Sequence, residues 1–330
     1  MSTGTPQPNA RRAPLWRLGP IAFGVLALCL VFLILFNLSD LEKIGRLLLN
    51  ARVEMLAPAL ITQALTYLCS ASVWRQFLRR AGYQQSLRTL VPLGVAKLFA
   101  DQTVPPNGVS GAILVLRALM QRGVPSRIAA TAILLALFAF YGAFLIVVGI
   151  SLVLLWQHHH AQASWTWALI FFAIIAVGLP LIIVLARTYG GAGLKRWAAK
   201  IPGAAAILDK LIDAPLNLLR DPILLAQATG LHICIFVLDA ATLWLIFASL
   251  GDPPPFWVPF VSYVMANVVA TVALVPMGLG TFEAGCIGMM VLLGVSLEAA
   301  LAATLLLRGF TFWLPMGPGL WFARRELGGG

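Results

Sequence analysis

Val275-Pro276-Met277-Gly278-Leu279-Gly280 breaks the apolar stretch 257–294 near its middle, and Val104-Pro105-Pro106-Asn107-Gly108 breaks the stretch 89–122 in the same way. Proline removes a helical hydrogen bond and glycine admits left-handed backbone, so each stretch predicts helix, turn, helix. Each is either one long span or a hairpin that returns to the side it entered. That choice decides the fold. Around them lie six unbroken apolar runs, near 19–38, 55–74, 128–156, 165–186, 223–250 and 299–321. Each is long enough for a hydrocarbon core of about 30 Å.

The composition requires a bilayer. Of 330 residues, 60% are hydrophobic and 11% charged, with mean hydropathy +0.91. Soluble domains are about 45–50% apolar and about 25% charged. A cytosolic enzyme, a secreted disulfide scaffold and a disordered chain are excluded. The formal charge of +11 marks a cytoplasmic membrane face; a nucleic-acid partner is not expected. Cys29, Cys69, Cys234 and Cys286 lie in apolar runs without paired spacing and read as small hydrophobes. Arg11, Arg12 and Arg17 precede the first run, and no small-x-small site follows Phe36, so an uncleaved first span is expected.

Positive charge then settles the hairpins. With a cytoplasmic N-terminus and both broken stretches re-entrant, eighteen of the 23 Lys and Arg lie inside. They are Arg11, Arg12 and Arg17, then Arg75, Arg79, Arg80 and Arg88, then Arg117, Arg122 and Arg127, the six from Arg187 to Arg220, and Arg324 with Arg325. Outside lie Lys43, Arg46 and Arg52, offset by Asp40, Glu42 and Glu54. Making only the first stretch a full span reverses this bias. The expected fold is an all-α polytopic membrane protein, with about six full transmembrane helices and two re-entrant hairpins.

This order of elements repeats with opposite entry. A shift of 171 residues pairs Val104-Pro105 with Val275-Pro276, Gly123-Val124 with Gly294-Val295, and Leu134-Leu135 with Leu305-Leu306. The reading is an inverted-topology repeat in one membrane domain. A basic cytoplasmic tail, 1–18, precedes a first repeat, 19–156, holding hairpin 89–122. A second repeat, 157–321, holds hairpin 257–294, and a cytoplasmic tail, 322–330, follows. Segments 40–52 and 194–219 carry apolar residues at helical spacing among charges and read as interfacial helices. His158-His159-His160 reads as a solvated outer turn, with no carboxylate or thiolate nearby to complete a metal site.

Five charges fall within spans or hairpins: Lys97, Asp101, Asp239, Glu283 and Arg308. Each costs about 2.5–3.5 kcal/mol at a helix centre, so each needs a partner, water or substrate. Lys97 and Asp101, four apart, form either a self-neutralising pair or part of a binding site. Asp239, two turns after His232, is either a proton relay or a hydrogen-bonded structural carboxylate. Glu283 lies in the first turn of a returning helix, where the helix dipole favours an anion, and an ion pair with Arg308 is one reading of the two. Arg117 reaches either substrate or the cytoplasmic interface.

Pro276-Met277-Gly278-Leu279-Gly280-Thr281-Phe282-Glu283, followed by Gly294 and Arg308, resembles the lysylphosphatidylglycerol synthase transmembrane-domain (flippase-like) family. That family shows Pro-Gly-Gly-Leu-Gly-x-x-Glu, then a Gly, then an Arg in the last span. The match covers Pro276, Gly278, Gly280, Glu283 and Arg308, and Met277 departs from the usual Gly. Pro105 to Gly111, with Arg117 and Gly123, is similar to the first-half break. The acidic residue and Arg usual in that break are poorly matched, with Asn107 and Ser110 nearby. The resemblance implies a membrane domain that binds or translocates lipids: anionic or aminoacylated phospholipids, polyprenyl-linked or hopanoid-type lipids. The soluble lysyl-transferase domain of that family is not expected, since nine residues follow Trp321.

The leading expectation is a lipid flippase or lipid-binding transporter of the bacterial inner membrane, both termini cytoplasmic. Its polar or anionic headgroup would sit between the hairpins, with Lys97, Asp101, Pro105, Asn107, Arg117, Asp239, Pro276, Gly278, Gly280, Glu283 and Arg308 as candidate contacts. No cofactor, metal or catalytic residue is expected. A membrane transferase is the weaker alternative, because no P-loop, GxSxG, HExxH or acidic metal cluster is present. A non-transporting subunit beside a lipid-synthesis enzyme is the other.

Overall fold

The computed structural model describes residues 49–103, 109–159, 221–272 and 278–328. The spans expected at 19–38 and 165–186, segment 194–219 and nearly all of 40–52 lie outside the described residues, as do Pro105, Asn107 and Pro276. Regular structure among the described residues is helical: α1 (Val53–Arg80), α2 (Leu87–Thr103), α3 (Val109–Gln121), α4 (Ser126–His159) and α5 (Pro222–Leu250). The second set continues with α6 (Trp257–Val272), α7 (Thr281–Leu292), α8 (Leu297–Arg308), a π-helical turn (Gly309–Trp313) and α9 (Leu314–Gly328).

Four stretches, 53–80, 126–158, 222–250 and 297–326, are long and apolar enough to cross a bilayer. They contain the spans expected at 55–74, 128–156, 223–250 and 299–321. Ile61, Ile150, Leu305, Trp313 and Trp321 are exposed on their outer faces, where lipid tails take the place of water. The protein is an all-helical polytopic membrane protein. Both broken stretches interrupt as read: α2 stops at Thr103 and α3 starts at Val109, while α6 stops at Val272 and α7 starts at Thr281. The last span is not continuous α-helix, because the Leu314 N–H bonds the Gly309 carbonyl across a π turn. Such a turn adds a residue to the helix without changing its apolar content, so hydropathy carries no sign of it.

Local chemistry sets the ends. Asp221 caps α5 by accepting the N–H groups of Ile223 and Leu224 at 3.0 and 3.1 Å, with Pro222 following. The paired Gly-Val dipeptides make the same C-terminal turn. Gly123 and Val124 donate to Met120 and Leu119 carbonyls at 3.0 and 3.1 Å, and Gly294 and Val295 to Val291 and Met290, both at 3.0 Å. These are Schellman caps. The four elements α1, α2, α3 and α4 begin at 53, 87, 109 and 126, and α5, α6, α7 and α8 at 222, 257, 281 and 297. Each second element therefore starts within two residues of the 171-residue shift.

Helices α1 and α5 pack antiparallel along their whole lengths. Arg52 N–H donates to the Ser249 carbonyl at 2.8 Å, the Thr62 and Thr242 hydroxyls lie 2.8 Å apart, Cys69 and Cys234 sulfurs 3.9 Å apart, and Arg80 pairs with Asp221 at 2.6 Å. The first hairpin opens at the Arg80–Asp221 end, where Arg122 also grips Glu326 at the end of α9 by two hydrogen bonds of 2.6 and 2.8 Å. The second opens at the Ser249 end, where His158 stacks on Trp257 at 4.3 Å. One buried core, with Phe77, Leu90 and Leu119, surrounds the first hairpin, and another, with Phe247, Met290 and Leu307, surrounds the second. A third holds the parallel Phe144–Phe236 stack, ring centres 5.3 Å apart.

Candidate functional site

At the second break, Gly278 and Gly280 have φ of 61° and 79°, backbone that a residue with a Cβ rarely adopts. A Cβ on Gly278 would also lie 3.2 Å from that of Ala270. The turn aims the Gly280 N–H at Glu283 Oε2, 2.7 Å away, so the carboxylate caps the helix it begins. Its other oxygen accepts from Arg308 Nε at 2.6 Å, and Arg308 Nη2 reaches the Gly278 carbonyl at 3.4 Å. The guanidinium lies 4.3 Å from the centre of the Phe282 ring. Glu283 and Arg308 are both largely buried. The ion pair admitted by the sequence is formed, one residue before the π turn.

The first break carries an equivalent made from other positions. Lys97 Nζ donates to Asp101 Oδ2 at 2.6 Å, and Asp101 Oδ1 accepts the Gly111 N–H at 2.8 Å. A Cβ on Gly111 would overlap the Asp101 carboxylate, so glycine there lets the two helices close. Each returning helix thus begins against a carboxylate paired with a cation. In the second hairpin that carboxylate comes from the returning helix; in the first it comes from the entering helix.

Between these sites lies a cavity of about 490 Å³, walled by α1, α2, α3, α4, α5 and α6 with Thr311 of the π turn. Lys97, His232 and Asp239 line it, joined by Gln63, Tyr67 and Tyr263. The Tyr263 hydroxyl donates to Asp239 Oδ2 at 2.6 Å. His232 Nδ1 lies 2.9 Å from the Ala228 carbonyl, which can only accept, so Nδ1 carries the proton and Nε2 of the neutral ring is an acceptor. Tyr263 meets Phe282 edge-on at 5.8 Å, and Phe282 carries Arg308 on its ring. The Asp239–Tyr263 pair on the cavity wall is therefore packed through one aromatic ring against the Glu283–Arg308 pair behind it.

The family described as the lysylphosphatidylglycerol synthase TM region matches residues 21–319. The chain belongs to this family. No curated protein matches it. Membership in the lysylphosphatidylglycerol synthase TM region family places the protein among integral membrane proteins linked to lipid metabolism, in agreement with its helices.

The candidate residues divide into three groups. Lys97 and Asp239 line the cavity, with Asp101 behind Lys97. Gly278, Gly280, Glu283 and Arg308 build the second break but are not among the lining residues. Among the described residues, both helices of the first hairpin and the entering helix of the second line the cavity, together with α1, α4 and α5. Arg117 is exposed and away from the lining. Gln63, Tyr67 and Tyr263 were missed; the signal for Gln63 was a lone amide in the middle of an apolar span. Among the described residues, no three His, Cys, Asp or Glu side chains converge as metal ligands.

Proposed function

We propose that this protein holds a lipid headgroup in the cavity and passes it between leaflets while the acyl chains stay in the bilayer. The observation that carries this reading is a cavity of about 490 Å³ among membrane-spanning helices, with Lys97, His232 and Asp239 on its walls. Ionisable groups at such depth are costly unless they serve a pathway or a ligand. The halves 19–156 and 157–321 act as an inverted-topology repeat, supported by hairpins that open at opposite ends and by matched element starts. Such repeats handle substrate where the halves meet. Arg79, Arg80, Arg122, Arg127, Arg324 and Arg325 share the end that faces the cytoplasm, with tails 1–18 and 322–330 on that side of the bacterial inner membrane. The chain itself performs no chemistry on the lipid and uses no cofactor.

Purified full-length protein in liposomes containing a fluorescent lipid tests this. Dithionite should bleach the inner-leaflet probe far faster than in protein-free vesicles, and Asp239→Leu should slow it. Retention of lipid without movement between leaflets would favour a non-transporting subunit of a lipid-synthesis pathway.

A further inference from the structure

The polar groups of the cavity wall are unevenly matched. Gln63 is 6% exposed; its Nε2 donates to Thr66 Oγ1 at 3.3 Å, while its Oε1 has no hydrogen-bond partner. The Tyr67 hydroxyl, one turn further along α1, is buried without a partner of ordinary geometry. Buried acceptors are nearly always met, so an unmet one in a cavity wall marks where a ligand or water donates. His232 Nε2 adds an acceptor from α5, and Asp239 adds a carboxylate. Among the described residues no cation lies within ion-pair distance of Asp239. Lys97, the cation of this wall, already gives its charge to Asp101. The surfaces between are apolar and aromatic, including Trp74, Phe140 and Tyr141.

We infer that the headgroup held in this cavity is uncharged and rich in hydroxyl groups, a sugar or an open polyol. Hydroxyls donate to Gln63 Oε1, His232 Nε2 and Asp239, and accept from Tyr67. A phosphate brings only acceptors and a negative charge to a wall where Gln63 Oε1, His232 Nε2 and Asp239 also accept and the lysine is already paired. An ammonium brings donors, but it must shed its water to enter the cavity, and its ion-pair gain at Asp239 is offset by that desolvation. The volume of about 490 Å³ lies within the usual range of about 300–1,000 Å³ for small-molecule sites. This inference rests on the cavity being the headgroup site.

Binding, read without transport, separates the two. The full chain in nanodiscs is offered an alkyl glucoside, an alkyl phosphate and a primary alkylammonium of one chain length, and retention is measured by native mass spectrometry. The glucoside should be retained best, and Gln63→Leu and the nearly isosteric Tyr67→Phe should each weaken its retention about five- to ten-fold, with the charged probes unchanged. Stronger retention of either charged probe overturns the inference and leaves the headgroup reading standing. Glucoside retention unaffected by both variants also overturns it. Retention of no probe overturns both.

Discussion

Asp239 stands on the cavity wall with Tyr263 donating to it at 2.6 Å. Asp239→Asn keeps an acceptor of the same size for that hydroxyl and should leave stability within about 1 kcal/mol, whereas Asp239→Leu orphans it and should cost about 1–3 kcal/mol. Thermal unfolding in detergent checks both. Behind it, Glu283→Ala strips Arg308 of its partner and the Gly280 N–H of its cap. Breaking a buried pair on one side costs about 3–5 kcal/mol, while replacing both partners by apolar residues is often near neutral. The Glu283→Leu, Arg308→Leu double variant should therefore unfold nearer the wild-type temperature than Glu283→Ala does. The Glu283–Arg308 pair was one of two open readings: a helix N-terminus selects an acid and a deep arginine needs one, but the distance between them came from the packing of α7 on α8. Tyr263 and Gln63 were not legible, although Gln63, Thr66, Tyr67 and Ser70 recur at helical spacing on α1 and all line the cavity; a polar stripe says which face is shielded from lipid, not what it surrounds. The link from Asp101 to Gly111 was hidden for another reason: its carboxylate comes from the opposite helix, where a shift of 171 residues finds no acid.

At the scale of elements, close approach depends on glycine. A Cβ on Gly319 would lie 2.7 Å from Phe99 Cβ and 3.1 Å from the Val95 carbonyl, so α9 presses directly on α2. Gly319→Val should push these helices apart and lower the unfolding temperature, while Gly317→Val, where a Cβ meets nothing within 4 Å, should not. Helix positions were readable because membrane spans are set by length and apolar content. Val53–Arg80 extends a few residues beyond the expected 55–74 because charged residues at its lower end, such as Arg79 and Arg80, still hydrogen-bond as helix. The π turn at Gly309–Trp313 was unreadable, since one extra residue in a turn leaves no compositional trace.

For the whole molecule, the proposal requires the two hairpins to open on opposite sides of the membrane. A single cysteine at Asp252 should react with an impermeant thiol reagent from outside intact cells, and one at Gln121 only after permeabilisation; outside labelling at Gln121 would remove the inverted arrangement. The positive-inside pattern is what argues for this topology, while the cavity emerged only from the antiparallel packing of α1 on α5 and the placement of α2, α4 and α6 around them. The claim that the headgroup travels through that cavity is tested most directly by blocking it. With the native cysteines replaced by alanine, Ala136→Cys places one thiol on the cavity wall. Reaction with a bulky charged methanethiosulfonate should stop lipid scrambling in liposomes, and reduction should restore it. Complete modification with scrambling unchanged would contradict the account.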